Sequence, residues 1–290
     1  MITTILAQWC NFLPTLAAAA AGGGEHGGEG GKSEGSKRIL EHVYDSQQLD
    51  LFHFLGRHLE LPRHLGITKH TVFMFLAAAL TFLTVWTAAR SIDRVPSGLR
   101  NALEAVVKFL RDDVIYPNMG VENGRRFMPF LLTLFLFILI MNLLGMVPFG
   151  AAATGNIFVT GALALITLSC MIIGGMIAQG PFKFWVNLVP HGVPAAIWPI
   201  LFVIELIGLF IKPFALMIRL CANMMAGHIV IFSIMSFIFT FATLWYVIAP
   251  ASVLAIVLFS LLELLVALIQ AYVFTMLSAV FIGMSLHPEH

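Results

Sequence analysis

Arg219 is a permanently charged residue inside a long apolar stretch, and its chemistry constrains this chain more than that of any other residue. The stretch, residues 204–239, is apolar enough to lie in lipid. A guanidinium at the centre of a bilayer costs about 2.5–3.5 kcal/mol on insertion scales. It cannot lose its proton, because its pKa lies above about 12. Such a charge normally faces a partner, a water-filled cavity or an ion path, so we predict a functional role for Arg219.

Further polar residues lie on the helix that would carry Arg219. Glu205, Lys212 and Arg219 are spaced by seven residues, so each lies within about 20° of the previous one on one helix face. Asn223 stays near that face, whereas His228, nine residues after Arg219, falls on the opposite side. In a membrane-spanning helix, Glu205 and Lys212 are then expected nearer the cytoplasm.

A second apolar stretch carries Glu263 and Gln270, which are also seven residues apart and share one helix face. If the chain folds back at 245–246, His228 meets Glu263 near the outer surface of the membrane. The same turn brings Gln270 opposite residues 219–223, deeper in the membrane. One turn position therefore pairs polar residues at two depths at once.

These residue types allow proton movement. His and Glu take up and release protons, and burial or a neighbouring charge moves either pKa by several units. Buried ionisable residues in membranes often mark proton relays. Arg219 cannot relay a proton, but it can block a passing proton and favour the ionised form of a carboxylate on a partner. No acid in the two stretches matches its depth, which favours a counter-ion on another chain.

Structural explanations remain open for the same residues. Glu205 and Lys212 could be a neutralised ion pair, and Asn223 and Gln270 could hold two helices together by a hydrogen bond. His228 could be a core histidine with satisfied hydrogen bonds. The arginine could be half of a structural ion pair.

The composition indicates a polytopic membrane protein. The 290 residues are 59% hydrophobic and 11% charged, whereas a soluble domain carries about 25% charged residues. The mean hydropathy is +0.93. A net charge of +1 makes nucleic acid an unexpected partner. The three cysteines lack metal or redox spacing, and no cofactor or nucleophile motif is present, so we expect no metal, no cofactor and no catalytic chemistry by this chain alone.

The apolar segments predict about five transmembrane helices. Three spans are expected at about 70–89, 127–148 and 156–178. The apolar region 195–285 is interpreted as two arms of about 45 residues that join near 240–247 and form a hairpin. Each arm would be about 60 Å long, so it must tilt strongly or extend beyond a bilayer core of about 30 Å. The predicted fold is an all-α membrane protein.

Residues 1–69 differ from this membrane domain, which we place at 70–290. Residues 1–21 resemble a signal peptide without a basic start, and 22–37 form a Gly-rich low-complexity linker. The rest is an outer-side segment in which one short helix is expected within 39–66.

The connections predict the orientation. Residues 90–126 hold the densest basic cluster and should be cytoplasmic, which puts the N-terminus outside and the C-terminus in the cytoplasm. An apolar stripe from Leu99 to Val114 predicts an amphipathic helix there, lying on the cytoplasmic surface or packed on a neighbouring soluble domain. Residues 179–194 are expected to form a second inner loop.

A family resemblance is carried by the segment KPFALMIRLCANMMAGH (212–228), together with NLLGMVP (142–148), Glu263 and Gln270. Over about 70–286 the chain resembles subunit a of the rotary F-type ATP synthase. The resemblance implies a stator in the bacterial cytoplasmic membrane beside a ring of c subunits. Protons would enter by one half-channel, load a ring carboxylate and leave by a second half-channel. Implied partners are the c-ring, b-type peripheral-stalk subunits, the remaining subunits and membrane lipid.

The resemblance also implies roles for particular residues. The essential arginine of the family, which faces the ring carboxylate, falls on Arg219. The inner-side acid falls on Glu205, and Lys212 is a further possible site residue. The outer half-channel residues fall on the following positions: Asn223, His228, Glu263 and Gln270.

The chain departs from the family pattern in two places. Many bacterial members have an acid where His228 lies and a histidine where Glu263 lies; the exchange keeps the pair and supports a direct contact. Some members have an acid where this chain has Gly145, so the resemblance does not carry an outer-channel role to that position. The main alternative function is a secondary transporter with a buried charged substrate site, although the two halves show no inverted repeat. Transport of Na⁺ rather than H⁺ also remains open.

Overall fold

The computed structural model of the chain describes residues 48–49, 59–60, 69–90, 98–147, 152–189, 197–240 and 245–286. The predicted signal peptide 1–21 and linker 22–37 lie outside these residues. Of the segment 39–66, four residues are described, and they form two short paired strands. Strand β1 (Gln48–Leu49) pairs antiparallel with β2 (Leu59–Glu60). The short helix expected in that segment otherwise falls outside the described residues.

From residue 69 onward the described chain is helical. Its α-helices are α1 (Lys69–Arg90), α2 (Leu99–Phe109), α3 (Tyr116–Met119), α4 (Val121–Gly145), α5 (Ile157–Gln179), α6 (Pro181–Val186), α7 (Trp198–Thr240) and α8 (Trp245–Leu286). A π-helical segment (Leu110–Ile115) continues α2 into α3, and a 3₁₀ turn (Ala153–Gly155) precedes α5.

Five helices in the described part of the chain are long and apolar enough to cross a membrane, namely α1, α4, α5, α7 and α8. Their candidate spans have mean hydropathies from 1.6 to 2.8. The predicted spans 70–89 and 156–178 match α1 and α5 to within one residue at each end. The predicted all-α membrane fold is therefore confirmed.

The basic region 90–126 contains more helix than the sequence indicates. The predicted amphipathic helix is present as α2 and the π-helical segment, and its residues Leu110 and Val114 are fully buried. They pack against α4 and α8 of the same chain, so the apolar stripe does not need a separate soluble domain to cover it. Helix α4 begins at Val121, six residues before the predicted span, because Gly120, with φ of 73°, already turns the chain between α3 and α4.

The predicted inner loop 179–194 also needs correction. Residues Pro181–Val186 form α6, which starts after Gly180. A chain of side-chain contacts holds this region: Asn187 Nδ2 donates to Gln179 Oε1 at 3.1 Å, and Gln179 Nε2 donates to the Ser285 carbonyl at 2.7 Å. The end of α8 is thereby attached to the connection between α5 and α7.

The core lies where α4, α5, α7 and α8 meet. Its largest fully buried side chains on these helices include Leu131, Ile138, Met141, Leu216, Leu220, Phe274 and Ile282. The outer faces of the same helices expose many large apolar side chains, such as Phe158, Ile177, Phe210 and Leu261. Apolar surface this extensive is unfavourable in water and is the normal surface of a protein in lipid. The chain is a multi-pass membrane protein.

Helices α7 and α8 are the two predicted arms, with 43 and 42 residues. At 1.5 Å per residue each is about 60 Å long. The predicted turn at 245–246 is slightly misplaced, because Trp245 and Tyr246 already belong to α8 and the join lies between Thr240 and Trp245. Helix α7 continues through Pro213. The strong tilt of both helices stays a prediction.

Candidate functional site

The first part of the site is a pair formed by the half-buried His228 of α7 and the buried Glu263 of α8. His228 Nδ1 lies 3.0 Å from Glu263 Oε1, and the two side chains are 21% and 8% exposed. A contact of this length between an imidazole and a carboxyl group must hold a proton between the two atoms, because both would otherwise present lone pairs. The structure therefore contains the predicted contact between the two helices.

Gly227 provides the space that this contact needs. A Cβ atom at position 227 would overlap the Glu263 carboxyl group, and its distance to Cδ would be 2.8 Å. Real Cβ atoms do not approach a heavy atom so closely, so any side chain here would push the carboxyl group away. The glycine is therefore a positioning residue for Glu263 by virtue of its missing side chain, a role that the sequence analysis did not assign.

The second ring nitrogen of His228 contacts a backbone group on α4. Its Nε2 atom lies 3.2 Å from the carbonyl oxygen of Gly145. Gly145 itself packs tightly, because a Cβ there would be 3.0 Å from Ala152. The sequence analysis considered position 145 for its side chain and found none that could serve. A backbone carbonyl gives no signal in the sequence, so this contact is visible in the structure alone.

The second part of the site joins α7 and α8 one to two turns away. Asn223 Nδ2 donates to Gln270 Oε1 at 2.8 Å, and Gln270 is 3% exposed. The two contacts between the helices, 223 with 270 and 228 with 263, show that α7 and α8 pack antiparallel. They also match the predicted pairing of residues along the two helices, whereas the depth of each pair in the membrane stays a prediction. The further predicted contact of Gln270 with Arg219 is not formed among the described residues.

Asn142 of α4 is a polar residue at this level that the sequence analysis missed. It is fully buried, and its Nδ2 atom donates to the carbonyl of Ala267 on α8 at 3.3 Å. Its Oδ1 atom and the Nε2 atom of Gln270 are both buried without a hydrogen-bond partner in the described part of the chain. Ala267 and Gln270 are one turn apart, so an unpaired acceptor and an unpaired donor face the same region. Asn142 could have been found from the sequence, because it is an amide in an otherwise apolar span.

Arg219 lies on a different surface from these pairs. Its side chain is exposed, and it makes no hydrogen bond or ion pair with any residue that the structure describes. Its neighbours one turn away on either side, Ala215 and Ala222, are also exposed and small. A permanent cation on the outer face of a membrane helix is costly unless something covers it. The chain itself supplies no counter-ion for this charge among the described residues.

Glu205 and Lys212 share the helix with Arg219 and are half-buried. No ion pair joins them within the described chain, so the neutralised pair left open from the sequence is absent. Seven residues separate them by about 10 Å along the helix axis, which is beyond direct contact. The Lys212 ammonium instead lies 5.7 Å from the ring centre of Phe281 on α8.

No three His, Cys, Asp or Glu side chains are grouped to hold a metal ion in the ranges that the structure describes. The pair of His228 with Glu263 can hold a proton, and the amides of Asn223 and Gln270 form a hydrogen bond between α7 and α8. The exposed Arg219 guanidinium presents a fixed positive charge.

Comparison with known proteins identifies the family of the chain. The family described as ATP synthase A chain matches residues 71–283. The chain is 43% identical over 261 residues to ATP synthase subunit a of Chloroherpeton thalassium, covering 87% of this chain and 77% of that protein. It is 49% identical over 229 residues to ATP synthase subunit a of Myxococcus xanthus, covering 78% and 75% of the two chains. The corresponding protein of Chlorobium phaeobacteroides strain BS1 is 43% identical over 277 residues, with 90% and 80% covered.

The five apolar helices, the two-helix site and these matches define a membrane subunit of a rotary ATPase. The chain belongs to the ATP synthase subunit a family, whose members are part of the proton-translocating ATP synthase complex.

Proposed function

We propose that this chain is the stator of the membrane sector and that it provides two proton half-channels to and from a ring of c subunits. The observation that carries the proposal is the contrast between Arg219 and the ionisable pair on the same helix. The pair His228–Glu263 is buried and complete, whereas the guanidinium is exposed and has no counter-ion among the described residues. A ring carboxylate passing that surface would supply one.

The outer half-channel would run from His228 and Glu263 to the amides Asn223 and Gln270. Glu263 and Gln270 are two turns apart on α8, about 10 Å, so a proton needs intermediate hydrogen-bonding groups between them. The unpaired polar atoms of Asn142 and Gln270 lie in this interval and would bind water there. The path would then reach the ring beside Asn223, one turn from Arg219.

Arg219 would separate the two half-channels. A fixed positive charge repels a proton that approaches along the stator, so protons are forced onto the ring. The same charge favours release of the proton from a ring carboxylate that passes it. Glu205, two turns beyond Lys212 toward the start of α7, would then receive protons in the inner half-channel. One charge crossing 100 mV is worth about 2.3 kcal/mol, which is the drive that each proton delivers to rotation.

A secondary transporter with an enclosed charged site is the alternative function, and the position of Arg219 argues against it. A transporter substrate site is surrounded by the helices of its own chain. Arg219 lies on an exposed face instead, where a second protein can cover it.

The test measures ATP-driven proton pumping in inverted membrane vesicles that carry Arg219→Ala in the assembled complex. Pumping should fall by at least about tenfold, the rate equivalent of 1.4 kcal/mol, with normal assembly and a raised passive leak. Lys183→Met is the control, because it removes an exposed cation from α6, outside the site, and should keep most of the pumping. Equal loss in both variants, or intact pumping in Arg219→Ala, would overturn the proposal.

The same vesicles test the orientation, since Ser97→Cys should react with an impermeant thiol reagent on their outer, cytoplasmic side.

A further inference from the structure

The two ring nitrogens of His228 have partners of different chemistry. Nδ1 faces the Glu263 carboxyl group at 3.0 Å, and Nε2 faces the Gly145 carbonyl at 3.2 Å. A carboxyl group can donate or accept a hydrogen bond according to its protonation, but a backbone carbonyl can accept only. The two contacts therefore place different constraints on where the hydrogens of the imidazole lie.

The carbonyl contact fixes the tautomer. Nε2 must carry a hydrogen and donate it to the Gly145 oxygen, since the carbonyl has none to offer. Nδ1 then either accepts from a protonated Glu263 or, in the imidazolium, donates to an ionised Glu263. In both cases one proton is held between Nδ1 and Oε1, and the hydrogen on Nε2 stays in place.

This tautomer restricts how the histidine can take part in proton movement. A ring that relays a proton accepts one at one nitrogen and releases another from the opposite nitrogen. Release from Nε2 is blocked here, because the Gly145 carbonyl accepts a hydrogen bond but does not take up the proton. His228 thus has one exchangeable side, which is the side occupied by Glu263.

We propose that His228 is a positioning residue of the outer half-channel: its ring orients the Glu263 carboxyl group and does not itself relay the proton. This inference rests on the proposed stator function. In the transfer step, Glu263 accepts an arriving proton at Oε2 while one proton stays between Nδ1 and Oε1. It then releases a proton from Oε2 to the next acceptor in the path. His228 keeps its Nε2 hydrogen throughout.

The surroundings of the pair agree with this assignment. Oε2 of Glu263 makes no hydrogen bond among the described residues, so it is the oxygen available for exchange. From α8, Glu263 is the titratable group that faces the histidine, and α4 offers the Gly145 carbonyl. On α7 itself the charged Arg219 is nine residues away, about 13 Å along the axis. The thiol of Cys221 is bound to the Gly155 carbonyl.

The experiment compares three variants of the assembled complex in inverted vesicles: His228→Gln, His228→Phe and Glu263→Gln. The glutamine amide can both donate to and accept from the Glu263 carboxyl group but cannot carry a proton, and phenylalanine fills similar volume without a hydrogen bond. We expect His228→Gln to keep at least about half of the wild-type pumping, while Glu263→Gln loses at least about tenfold. His228→Phe should lose more than His228→Gln.

Assembly of each variant is measured in the same membranes, so that a misfolded variant is recognised. Loss of pumping in His228→Gln as deep as in Glu263→Gln, with intact assembly, would show that the ring relays the proton and would overturn this inference alone. If all three variants pump normally while Arg219→Ala does not, the pair is off the path and the inference fails, although the stator function stands. If Arg219→Ala also pumps normally, the proposed function fails as well.

Discussion

Two ionisable sites lie on α7 fewer than three helical turns apart: Arg219, and His228 with its partner Glu263. They differ in where their partners come from. The pair of His228 with Glu263 is closed within the chain by α8, by the carbonyl of Gly145 and by the space that Gly227 leaves. The Arg219 guanidinium points to the outer face of the same helix and is bound by no described residue of this chain. The pair of His228 with Glu263 has its partners within the chain, whereas Arg219 has no partner among the described residues.

The difference follows from the cost of each group in a membrane. An imidazole and a carboxyl group can share a proton and remain neutral as a pair, so they can be buried together in one chain. A guanidinium cannot become neutral, and its charge must be matched by another charge or by water. In the proposed stator, a carboxylate on the ring of c subunits would match this charge as it passes. We infer that the pair of His228 with Glu263 exchanges the proton and that the exposed Arg219 repels a proton approaching along the stator.

The largest expected effect concerns the partner that covers Arg219. Ala222→Cys, on the exposed face one turn after Arg219, should form an adduct with a c subunit when the assembled complex is treated with a photoreactive maleimide. Met224→Cys is the control, because Met224 lies at nearly the same depth and is 2% exposed. Adducts should be abundant for the first variant and nearly absent for the second. Adducts with lipid alone at position 222 would remove the basis of the comparison.

A smaller effect is expected when the internal pair is disturbed without changing either of its members. Gly227→Ala should displace the Glu263 carboxyl group and reduce pumping about tenfold, with a loss of stability of about 1–3 kcal/mol from overpacking. Gly208→Ala is the matched control on the same helix, because nothing lies within 4 Å of a Cβ at that position. The measurements are the pumping rate and the thermal unfolding of the two variants. Equal behaviour of both glycines would mean that the carboxyl group can move freely.

The smallest expected effect concerns the amide contact between the helices. Asn223→Leu and Gln270→Leu should be coupled in a double-mutant cycle by about 0.6 kcal/mol in thermal stability, the usual strength of such a bond in membranes. Asn223→Leu combined with Thr275→Val should be additive, because the Thr275 hydroxyl bonds to the Ala271 carbonyl of its own helix. Additive losses for both combinations would show that the 2.8 Å contact contributes nothing measurable.

Much of the fold follows from the sequence because the bilayer restricts the possibilities. Apolar runs of about 20 residues predict spanning helices, and two long runs around the join near residue 243 predict two long arms. The pairing of His228 with Glu263 and of Asn223 with Gln270 follows from counting residues along antiparallel helices. The sequence failed at connections, where α6 and the early start of α4 depend on glycine turns and on packing against α8.

The part of the site that is formed by polar side chains could be predicted from the sequence. A charged or amide side chain in an apolar helix is conspicuous, so the seven candidate residues could be named in advance, although Asn142 was overlooked. The ion pair of Lys212 with Glu205, which the sequence left open, is not formed, and the Lys212 ammonium lies near the aromatic ring of Phe281 instead. The contributions of Gly145 and Gly227 come from a backbone carbonyl and from a missing side chain, and neither has a sequence signature.

The sequence by itself determined that this protein lies in a membrane, which residues carry charge there and which of them are paired along the two long helices. These properties depend on local composition and on the constant rise of a helix, and both can be read from the order of residues. The tertiary structure decided which groups face inward and which remain uncovered. It paired one nitrogen of His228 with a carboxyl group and the other with a carbonyl, and it left Arg219 on an open face. Contacts between helices depend on rotation and close packing, which residue spacing along one helix does not specify.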